Sequence, residues 1–364
     1  MKDLKDITKR FSILGEVDSI SPLGDGLIND TYLVRTAGAT PDYVLQRINH
    51  NVFKDVEGMQ RNIEAVTAHI RKKLAVSGEA DIDRKVLQFI PLKDSESTLY
   101  FDGDRYWRVS LFIPNSRTLQ EVTKATALQA GKAFGHFQQM LADIKTELTE
   151  SIPDFHNMEF RLRQLVESIA ADPAGRLSEV RDLLQVIDTR RHLMCTPERM
   201  HREGRLPKRI CHCDTKVNNI LFDKNGDILC VIDLDTVMPS FIFSDFGDFL
   251  RSGACTAPED EQDLSKINFD MDIFRAFAEG YISEAGIFLT PEELEWLPDS
   301  VMLFPYMQAV RFLTDYINGD IYYKISYPGH NLVRTKAQLQ LLRKIEEKMP
   351  EIRTFISTLR PHFL

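Results

Sequence analysis

Residues 210–222 of the 364-residue chain read ICHCDTKVNNILF, and residues 231–235 read VIDLD. Asp214 and Asn219 stand five residues apart in the first run, and Asp233 ends the apolar part of the second. The turn sequence Asn-Gly-Asp at 225–227 lies between the two runs and is typical of a β-hairpin. We therefore predict a loop that carries Asp214, followed by a short hairpin whose open end carries Asn219 and Asp233.

These three side chains have the chemistry that phosphoryl transfer from a nucleotide requires. The transition state spreads charge over phosphate oxygens, so an enzyme must hold Mg²⁺ through oxygen ligands and orient an acceptor hydroxyl. Asp214 is the candidate base, while Asn219 and Asp233 are the candidate metal ligands. The five-residue separation also matches the H-R-D-x-x-x-x-N pattern of protein kinases. The whole stretch indicates a catalytic loop.

Two neighbouring motifs have other interpretations. Asp245 begins the sequence DFG, which spells the metal-binding tripeptide of protein kinases. Because Asp233 already occupies the expected strand end, we expect Asp245 to brace the catalytic loop by hydrogen bonds instead. Cys211, His212 and Cys213 are residue types that bind zinc, but adjacent residues on a strand point to alternate faces. Their spacing disfavours a shared metal ion.

The hydrophobic pattern divides the chain into a small β-rich lobe and a larger helical lobe. Strand candidates in the first part occupy 31–34, 43–46, 99–101 and 106–112, the last two joined by a turn at 102–103. Apolar spacing predicts a helix over Val56–Leu74 and further helices over 122–141 and 177–187. The tail, 269–358, is also predicted to be helical, with breaks at Pro291, Pro298 and 327–329.

Composition and charge exclude several classes of protein. The net charge of −9 and the pI of about 5.6 argue against a nucleic-acid partner, which needs a basic face. The sequence has no apolar run of the ~18 residues that a membrane span requires. Five scattered cysteines and an N-terminus without an apolar signal region lead us to expect a cytoplasmic protein. The sequence leaves the oligomeric state open.

The candidate nucleotide side lies near the N-terminus. The loop Gly24-Asp25-Gly26 joins two candidate strands and could bring backbone N–H groups against phosphates, although an ordinary hairpin turn reads the same way. Arg47 falls at the position of the kinase lysine, where a cation reaches the phosphates; a surface arginine is the alternative. Glu57 and Glu64 are both available as its acidic partner, and the sequence does not choose between them.

Taken together, these residues resemble the aminoglycoside phosphotransferase/choline kinase-like family of small-molecule kinases, and within it the members that act on N-acetylhexosamines. The matching stretches run almost from end to end of the chain. They are GDGLINDTYLV from residue 24, YVLQRIN from 43, HCDTKVNNIL from 212, VIDLDTVMP from 231, DFGD from 245, RFLTDYINGDIYY from 311 and YPGHNLVR from 327.

The resemblance implies an α+β, bilobal protein-kinase-like fold, with a nucleotide-binding N-lobe over 1–113 and a helical C-lobe over 114–364. It also implies an enzyme that uses ATP as co-substrate and Mg²⁺ as cofactor to phosphorylate the anomeric hydroxyl of a small sugar acceptor, an N-acetylhexosamine. Asp214 would be the base and contact the acceptor. Asn219 and Asp233 would surround Mg²⁺, and Arg311 and Tyr322 would lie near the sugar.

Two positions depart from the pattern of the members that act on N-acetylhexosamines. Leu27 stands where those members have a histidine, and Ser252 stands where they have a bulky aromatic residue. Both differences concern the acceptor, so a kinase of an aminoglycoside, choline or another amino alcohol remains an alternative. A nucleotide-binding regulator without catalysis is a second alternative, and the intact Asp214, Asn219 and Asp233 count against it.

Overall fold

The structure is a computed structural model that describes residues 4–24 and 28–359, and these residues form two compact units. The first unit contains the described residues up to Leu119, together with Asp143–Pro153 and Asn218–Met238. The second contains Gln120–Ala142, Asp154–Val217 and the described chain from Pro239 onward. The functional division at residue 113, between nucleotide and acceptor lobes, stays a prediction.

The first unit is rich in strands and the second in helices, which confirms the predicted α+β class. The strands are β1 (Val17–Pro22), β2 (Asp30–Thr36), β3 (Tyr43–Ile48), β4 (Leu99–Phe101), β5 (Tyr106–Leu111), β6 (Arg209–Cys211), β7 (Ile220–Phe222), β8 (Ile228–Val231) and β9 (Met238–Ser240). The helices are α1 (Leu4–Thr8), α2 (Val56–Val76), α3 (Ile82–Lys85), α4 (Lys124–Leu141), α5 (Met158–Ala171), α6 (Arg181–Asp188), α7 (Arg191–Met194), α8 (Thr196–Arg202), α9 (Phe243–Gly253), α10 (Met271–Ala285), α11 (Pro291–Ile317) and α12 (His330–Leu359).

Five antiparallel strands form the main sheet of the first unit, in the order β1-β2-β3-β5-β4. The four strand candidates of this region all lie in the sheet, so those predictions are confirmed. Leu45 and Val109, paired across β3 and β5, are fully buried. Since successive side chains on a strand alternate faces, the next pair along, Gln46 and Arg108, points to the opposite face of the sheet.

Helix α2 connects the main sheet to a later part of the first unit. It begins after Asp55, whose carboxylate accepts a hydrogen bond from the N–H of Gly58 at 2.8 Å, and it confirms the helix predicted over Val56–Leu74. The buried Asn62 side chain donates to the carbonyl of Val237 at 3.1 Å. This bond ties the helix to the segment that follows Asp233.

The predicted hairpin is confirmed as a two-stranded ribbon of β7 and β8, with Ile220 opposite Val231. Asp223 closes its turn, because its carboxylate accepts hydrogen bonds from the N–H groups of Asn225 (2.7 Å) and Asp227 (2.9 Å). Side chains of this kind stabilise tight turns by hydrogen bonding to the backbone two residues later. The ribbon thus forms from its own local sequence.

Helices α4 and α10 pack unusually closely in the second unit. A Cβ atom on Gly131 would lie 2.2 Å from the carbonyl oxygen of Phe277, and one on Gly280 would lie 2.2 Å from that of Leu128. Only glycine fits at such backbone contacts. The tight pair holds Gln138 of α4 in the buried interior, where it contacts the catalytic loop.

One predicted break in the C-terminal helices is wrong. Helix α11 continues through Pro298 and Pro305, although proline removes a backbone hydrogen bond and costs about 3 kcal/mol inside a helix. Most of the helix is buried, so its packing outweighs that cost. The other two predictions are confirmed: Pro291 opens the helix at its first position, and the break at 327–329 precedes α12.

All five cysteines are free thiols: Cys195, Cys211, Cys213, Cys230 and Cys255. The fold therefore rests on packing and hydrogen bonds rather than on disulfides. Among the helices of residues 4–24 and 28–359, none combines the length and the apolar character that crossing a membrane demands.

Candidate functional site

Asn219 and Asp233 lie side by side at the open end of the β7–β8 ribbon. Asn219 directly precedes β7, and Asp233 follows β8 by two residues. The N–H of Ile232 donates a hydrogen bond to the carbonyl of Asn219 at 2.9 Å, which extends the ribbon to its last pair. The predicted neighbourhood of the two candidate metal ligands is therefore confirmed, while their role stays a prediction.

The backbone at Asp233 is in the left-handed region, with φ 60° and ψ 56°. Residues other than glycine adopt this conformation at a cost, and such residues concentrate at functional sites. The Asp233 side chain is exposed at the ribbon end, whereas Asn219 is buried. Next to Asn219, the side-chain oxygen of Asn218 is buried without a hydrogen-bond partner among the described residues. The ribbon end thus gathers amide and carboxylate oxygens.

These oxygens suit a hard cation. Mg²⁺ takes oxygen ligands and is usually held by one or two carboxylates together with phosphates and water, without a full protein cage. In the described part of the chain no group of three His, Cys, Asp or Glu side chains is arranged to hold a metal. The ribbon end, with one carboxylate and neighbouring amides, fits the first mode of binding.

A buried ion pair lies two residues beyond Asp233. Arg108 of β5 donates to the carboxylate of Asp235 at 2.5 Å, and both residues are buried. Gln46 accepts a hydrogen bond from the Nε of Arg108 at 2.9 Å, across the β3–β5 pair. Because a buried charge is stable only when it is paired, this contact fixes the segment after β8 against the main sheet.

Asn29, three residues after Gly26 in the sequence, bonds to the same carboxylate. Its side-chain N–H donates to Asp235 at 2.6 Å, and its oxygen accepts the N–H of Asn49 at 2.9 Å. Gly24, at the start of the predicted loop, has φ +70°, a conformation that favours glycine. Asp25, Gly26 and Leu27, named in the sequence predictions, lie outside the described residues.

Arg47 forms an ion pair with Asp30, its direct neighbour on β2. The acidic partner expected on α2 is therefore found on the sheet instead. Glu64 of α2 accepts a hydrogen bond from Thr98. The predicted contact of Arg47 with nucleotide phosphates stays a prediction.

In the second unit, Asp214 lies on a loop held by Asp245. The buried carboxylate of Asp245 accepts the N–H of His212 at 2.9 Å and that of Cys213 at 2.8 Å, and it also accepts the side-chain N–H of Gln138 at 2.7 Å. Burial raises the pKa of Asp245, while the two backbone donors act against that rise. The prediction that Asp245 braces the loop is confirmed.

The loop reaches Asp214 through a strained residue. Cys213 has φ +64°, in the left-handed region, directly before Asp214. The N–H of Asp214 donates to Nδ1 of His212 at 3.3 Å. Thr215 follows, with its N–H bonded to Asp248 at 3.2 Å. The backbone on both sides of Asp214 is thus fixed by buried partners.

Lys216 is a residue that our sequence reasoning missed. Its ammonium group contacts the carboxylate of Asp214 at 2.6 Å. Burial opposes the charge of Lys216, but the Asp214 carboxylate outweighs it, so the pKa of Lys216 is raised. The signal was present in the quoted stretch, where a lysine stands two residues after the candidate base.

Arg311 and Tyr322, which are predicted to contact the acceptor, both contact Tyr323. The Arg311 guanidinium carbon lies 5.5 Å from the ring centre of Phe155 and 5.6 Å from that of Tyr323. Tyr322 lies edge-on to Tyr323, with ring centres 4.8 Å apart, and is 70 % exposed. The buried Asp315 carboxylate accepts the N–H groups of both tyrosines and so fixes this loop.

Arg251 and Ser252 lie at the end of α9. Arg251 is paired with Asp248 at 3.3 Å and with Glu259 at 2.8 Å. Burial lowers the pKa of Arg251, but these carboxylates outweigh burial and raise it. Ser252, the position that departs from the family pattern, donates to the carbonyl of Phe249 at 3.4 Å.

Solved structures of small-molecule kinases have a similar fold. An aminoglycoside phosphotransferase from Alicyclobacillus acidocaldarius matches with a TM-score of 0.60 and 12 % identity, over 94 % of this chain and 93 % of that chain. Spectinomycin phosphotransferase APH(9)-Ia, in complex with ADP and spectinomycin, matches with a TM-score of 0.52 and 14 % identity, over 96 % and 98 %. A choline/ethanolamine kinase family protein from Mesorhizobium loti matches with a TM-score of 0.53 and 15 % identity, over 95 % and 94 %.

At these identities the structural similarity shows the fold alone. The family is shown by a match at the level of sequence. A sequence model of the phosphotransferase enzyme family matches residues 19–281. This is more than half of the chain and includes Asp214, Asn219 and Asp233. This chain therefore belongs to the phosphotransferase enzyme family.

Proposed function

We propose that this phosphotransferase uses Mg²⁺ and ATP to phosphorylate the anomeric hydroxyl of an N-acetylhexosamine. The observation that carries the proposal is the hydrogen bond from Ile232 to Asn219, since it sets an amide and the Asp233 carboxylate together at one ribbon end. The acceptor hydroxyl oxygen bonds to the γ-phosphorus, and the bond from that phosphorus to the β-γ bridging oxygen breaks. ADP leaves, and the sugar 1-phosphate remains.

On the nucleotide side, Asn219 and Asp233 are the residues that would hold Mg²⁺. When bound, the ion neutralises charge on the phosphate oxygens. The backbone of the loop Gly24-Asp25-Gly26 would bind the phosphates, and Arg47 would add a positive charge. Asn29, which lies three residues after that loop in the sequence, supports this assignment because it bonds to Asp235.

On the acceptor side, Asp214 would accept the hydroxyl proton as the phosphoryl group arrives. A base must lie within hydrogen-bond reach of its proton and keep its position, and the bonds from Asp245 and Asp248 to the neighbouring backbone supply that rigidity. Lys216 forms an ion pair with the carboxylate of Asp214 at 2.6 Å and so holds it in position. Both features support Asp214 as the base.

Arg311 and Tyr322 would bind the sugar. A guanidinium donates several hydrogen bonds in a fixed plane, which suits the hydroxyl and acetamido oxygens of a hexosamine. The same charge would repel the ammonium groups of an aminoglycoside or the quaternary ammonium of choline. The position of Arg311 between two aromatic rings therefore favours the hexosamine among the acceptors of related kinases.

An acceptor screen tests this proposal. ADP release would be measured with Mg²⁺ and ATP over N-acetylglucosamine, N-acetylgalactosamine, their non-acetylated parents, choline, ethanolamine and kanamycin. We expect turnover of the N-acetylhexosamines and, by ³¹P NMR, a phosphate on the anomeric carbon. Efficient turnover of kanamycin or choline without any hexosamine would contradict the acceptor. Absence of turnover with every acceptor, together with tight ATP binding, would favour a regulator.

A further inference from the structure

A group of positively charged and aromatic side chains in the second unit has more positive charge than the reaction described above requires. This arginine cluster consists of Phe155, His156, Arg161, Arg311 and Tyr323. Arg311 is packed between the two aromatic rings, and Arg161 donates to the carbonyl of Phe155 at 2.9 Å. Both guanidinium groups therefore contact Phe155.

Neither guanidinium has an ion-pair partner in the part of the chain that the structure describes. Arg311 donates to the neutral side chain of Gln308 at 2.8 Å, and Arg161 donates to that of Gln164 at 2.9 Å. Arg209 of the same unit, which is also partly buried, does have a carboxylate partner in Glu293 at 2.9 Å. The positive charge of the cluster is thus left unneutralised by the protein.

The positive charge of Arg311 acts on both Arg161 and His156. Burial and then the charge of Arg311 lower the pKa of Arg161 to about 10, while Tyr323, Tyr322 and Asp154 act in the opposite direction. Burial also lowers the pKa of His156 well below its usual range, with Arg311 and Arg161 adding to the effect, so this imidazole is neutral. Two like charges in a partly buried place are costly unless an anion joins them.

Two buried polar atoms of the cluster have no hydrogen-bond partner among the described residues. They are Nδ1 of His156 and the hydroxyl of Tyr323. Buried polar atoms in folded proteins are nearly always satisfied, and leaving one unpaired costs about 1–3 kcal/mol. A neutral imidazole and a phenol can each donate to an oxygen-rich group. They provide a second indication, independent of charge, that a ligand completes this cluster.

We propose that the arginine cluster is an anion-binding subsite of the acceptor pocket, and that the preferred acceptor is a hexosamine carrying a carboxylate, sulfate or phosphate group. This inference rests on the proposed function, because it takes Arg311 as an acceptor-binding residue. Arginine pairs are well suited to such anions, since each guanidinium can offer two parallel N–H donors to two oxygens. The subsite would select acidic sugars and reject cationic acceptors.

The main test compares acidic and neutral acceptors in the same protein preparation. kcat/KM would be measured for N-acetylglucosamine, N-acetylglucosamine 6-phosphate, N-acetylglucosamine 6-sulfate and N-acetylmuramic acid. We expect at least one acidic sugar to exceed the neutral one by about 10-fold or more, as charged hydrogen bonds typically do. R311Q and R161Q should reduce this ratio by about 10- to 100-fold. The ratio does not depend on how much of a variant is folded.

The matched control is R163Q. Arg163 lies on the same helix and packs over the ring of Phe160, 5.7 Å from its centre, as Arg161 does at 5.3 Å, but its side chain is exposed. This control should leave the acidic-to-neutral ratio unchanged. An equal fall of the ratio in R163Q and R161Q would mean that the general charge of the helix, and no defined subsite, attracts the acid. That result would overturn the inference.

A binding measurement keeps the two proposals distinguishable. Inorganic sulfate would be titrated into the ATP-free protein, and its effect on Tm compared with that of chloride at equal ionic strength. We expect sulfate to raise Tm in wild type and R163Q, and less in R311Q. Sulfate binding without turnover of any hexosamine would support the subsite and contradict the sugar. Turnover of neutral hexosamines, with no preference for acids and no sulfate effect, would overturn the subsite and support the sugar.

Discussion

The side-chain N–H of Asn29 donates to the carboxylate of Asp235 at 2.6 Å, across 206 residues of sequence. The same carboxylate accepts from the buried Arg108 at 2.5 Å. Asp235 therefore links two parts of the first unit to the segment that begins with Asp233. These parts are the chain that follows the glycine loop and strand β5. The parts proposed to bind ATP and Mg²⁺ share one buried centre in the first unit.

This centre makes a prediction for stability. Asp235→Leu should lower the free energy of unfolding by about 3–5 kcal/mol, because it leaves the buried charge of Arg108 without a partner. The double variant Arg108→Met with Asp235→Leu should recover much of that loss, since no charge then remains buried. Urea unfolding of wild type, the two single variants Arg108→Met and Asp235→Leu, and the double variant measures the coupling energy between the two side chains. If the losses of the two single variants simply add up in the double variant, the two side chains do not stabilise each other.

The metal assignment separates two aspartates that resemble the kinase motif. Asp233→Asn should retain the fold, because asparagine tolerates the left-handed backbone, but it should abolish activity even at raised Mg²⁺. Asp245→Ala should lower the free energy of unfolding by about 3 kcal/mol, because several buried donors lose their acceptor. Tm and activity over a Mg²⁺ titration provide the comparison. A Mg²⁺ requirement that shifts in Asp245→Ala, with Asp233→Asn fully active, would reverse the assignment.

Glu198 makes stability depend on pH. Burial raises its pKa from 4.5 to about 7, although the N–H of Met158 donates to its carboxylate at 2.6 Å. The folded state therefore binds the proton more tightly than the unfolded state does. The stability from this proton is complete below about pH 4.5 and is lost as pH rises through 7. The loss is about 3 kcal/mol by pH 8.

Glu198→Gln should remove this dependence. We expect the variant to be more stable than wild type at pH 8 and to gain little at pH 5, as measured by urea unfolding. The exposed Glu203, just after the same helix, provides the control, and Glu203→Gln should keep the wild-type pH profile. A stability difference between Glu198→Gln and wild type that does not vary with pH would contradict the raised pKa of Glu198.

Local features could be predicted from the sequence because local interactions produce them. The hairpin at 225–227 follows from a turn sequence between two apolar runs, and α2 follows from its apolar spacing and its Asp55 cap. The bracing role of Asp245 could be inferred by elimination, since Asp233 already filled the strand end. The hairpin and the helix needed only neighbouring residues, whereas the bonds of Asp245 to the N–H groups of His212 and Cys213 span more than 30 residues of sequence.

Features that depend on distant partners could not be predicted in the same way. The ion partner of Arg47 is Asp30 on the adjacent strand, while Gln46, one residue earlier, points to the opposite face and contacts Arg108. A sequence does not show which strand becomes the neighbour. Pro298 was misjudged because the burial of α11, which overrides the local cost of proline, arises from the rest of the fold.

The arginine cluster illustrates the same limit. Arg161 and Arg311 are 150 residues apart, and each alone is an ordinary helix residue. Their shared surroundings, with unpaired atoms on His156 and Tyr323, arise only when α5 and the end of α11 come together in the second unit. The sequence alone does not show that a charged or polar side chain will lack a partner in the folded protein.

The most direct test of the account is the turnover number of Asp214→Asn with its best N-acetylhexosamine acceptor. As the base for the acceptor hydroxyl, Asp214 should contribute about 10²–10⁴-fold, so kcat should fall at least ~100-fold. ATP affinity, measured by calorimetry, should stay within about twofold of wild type, because Asp214 is assigned to the acceptor. A variant that keeps near-normal kcat would contradict the role of Asp214 and, with it, the catalytic loop on which the proposed function rests.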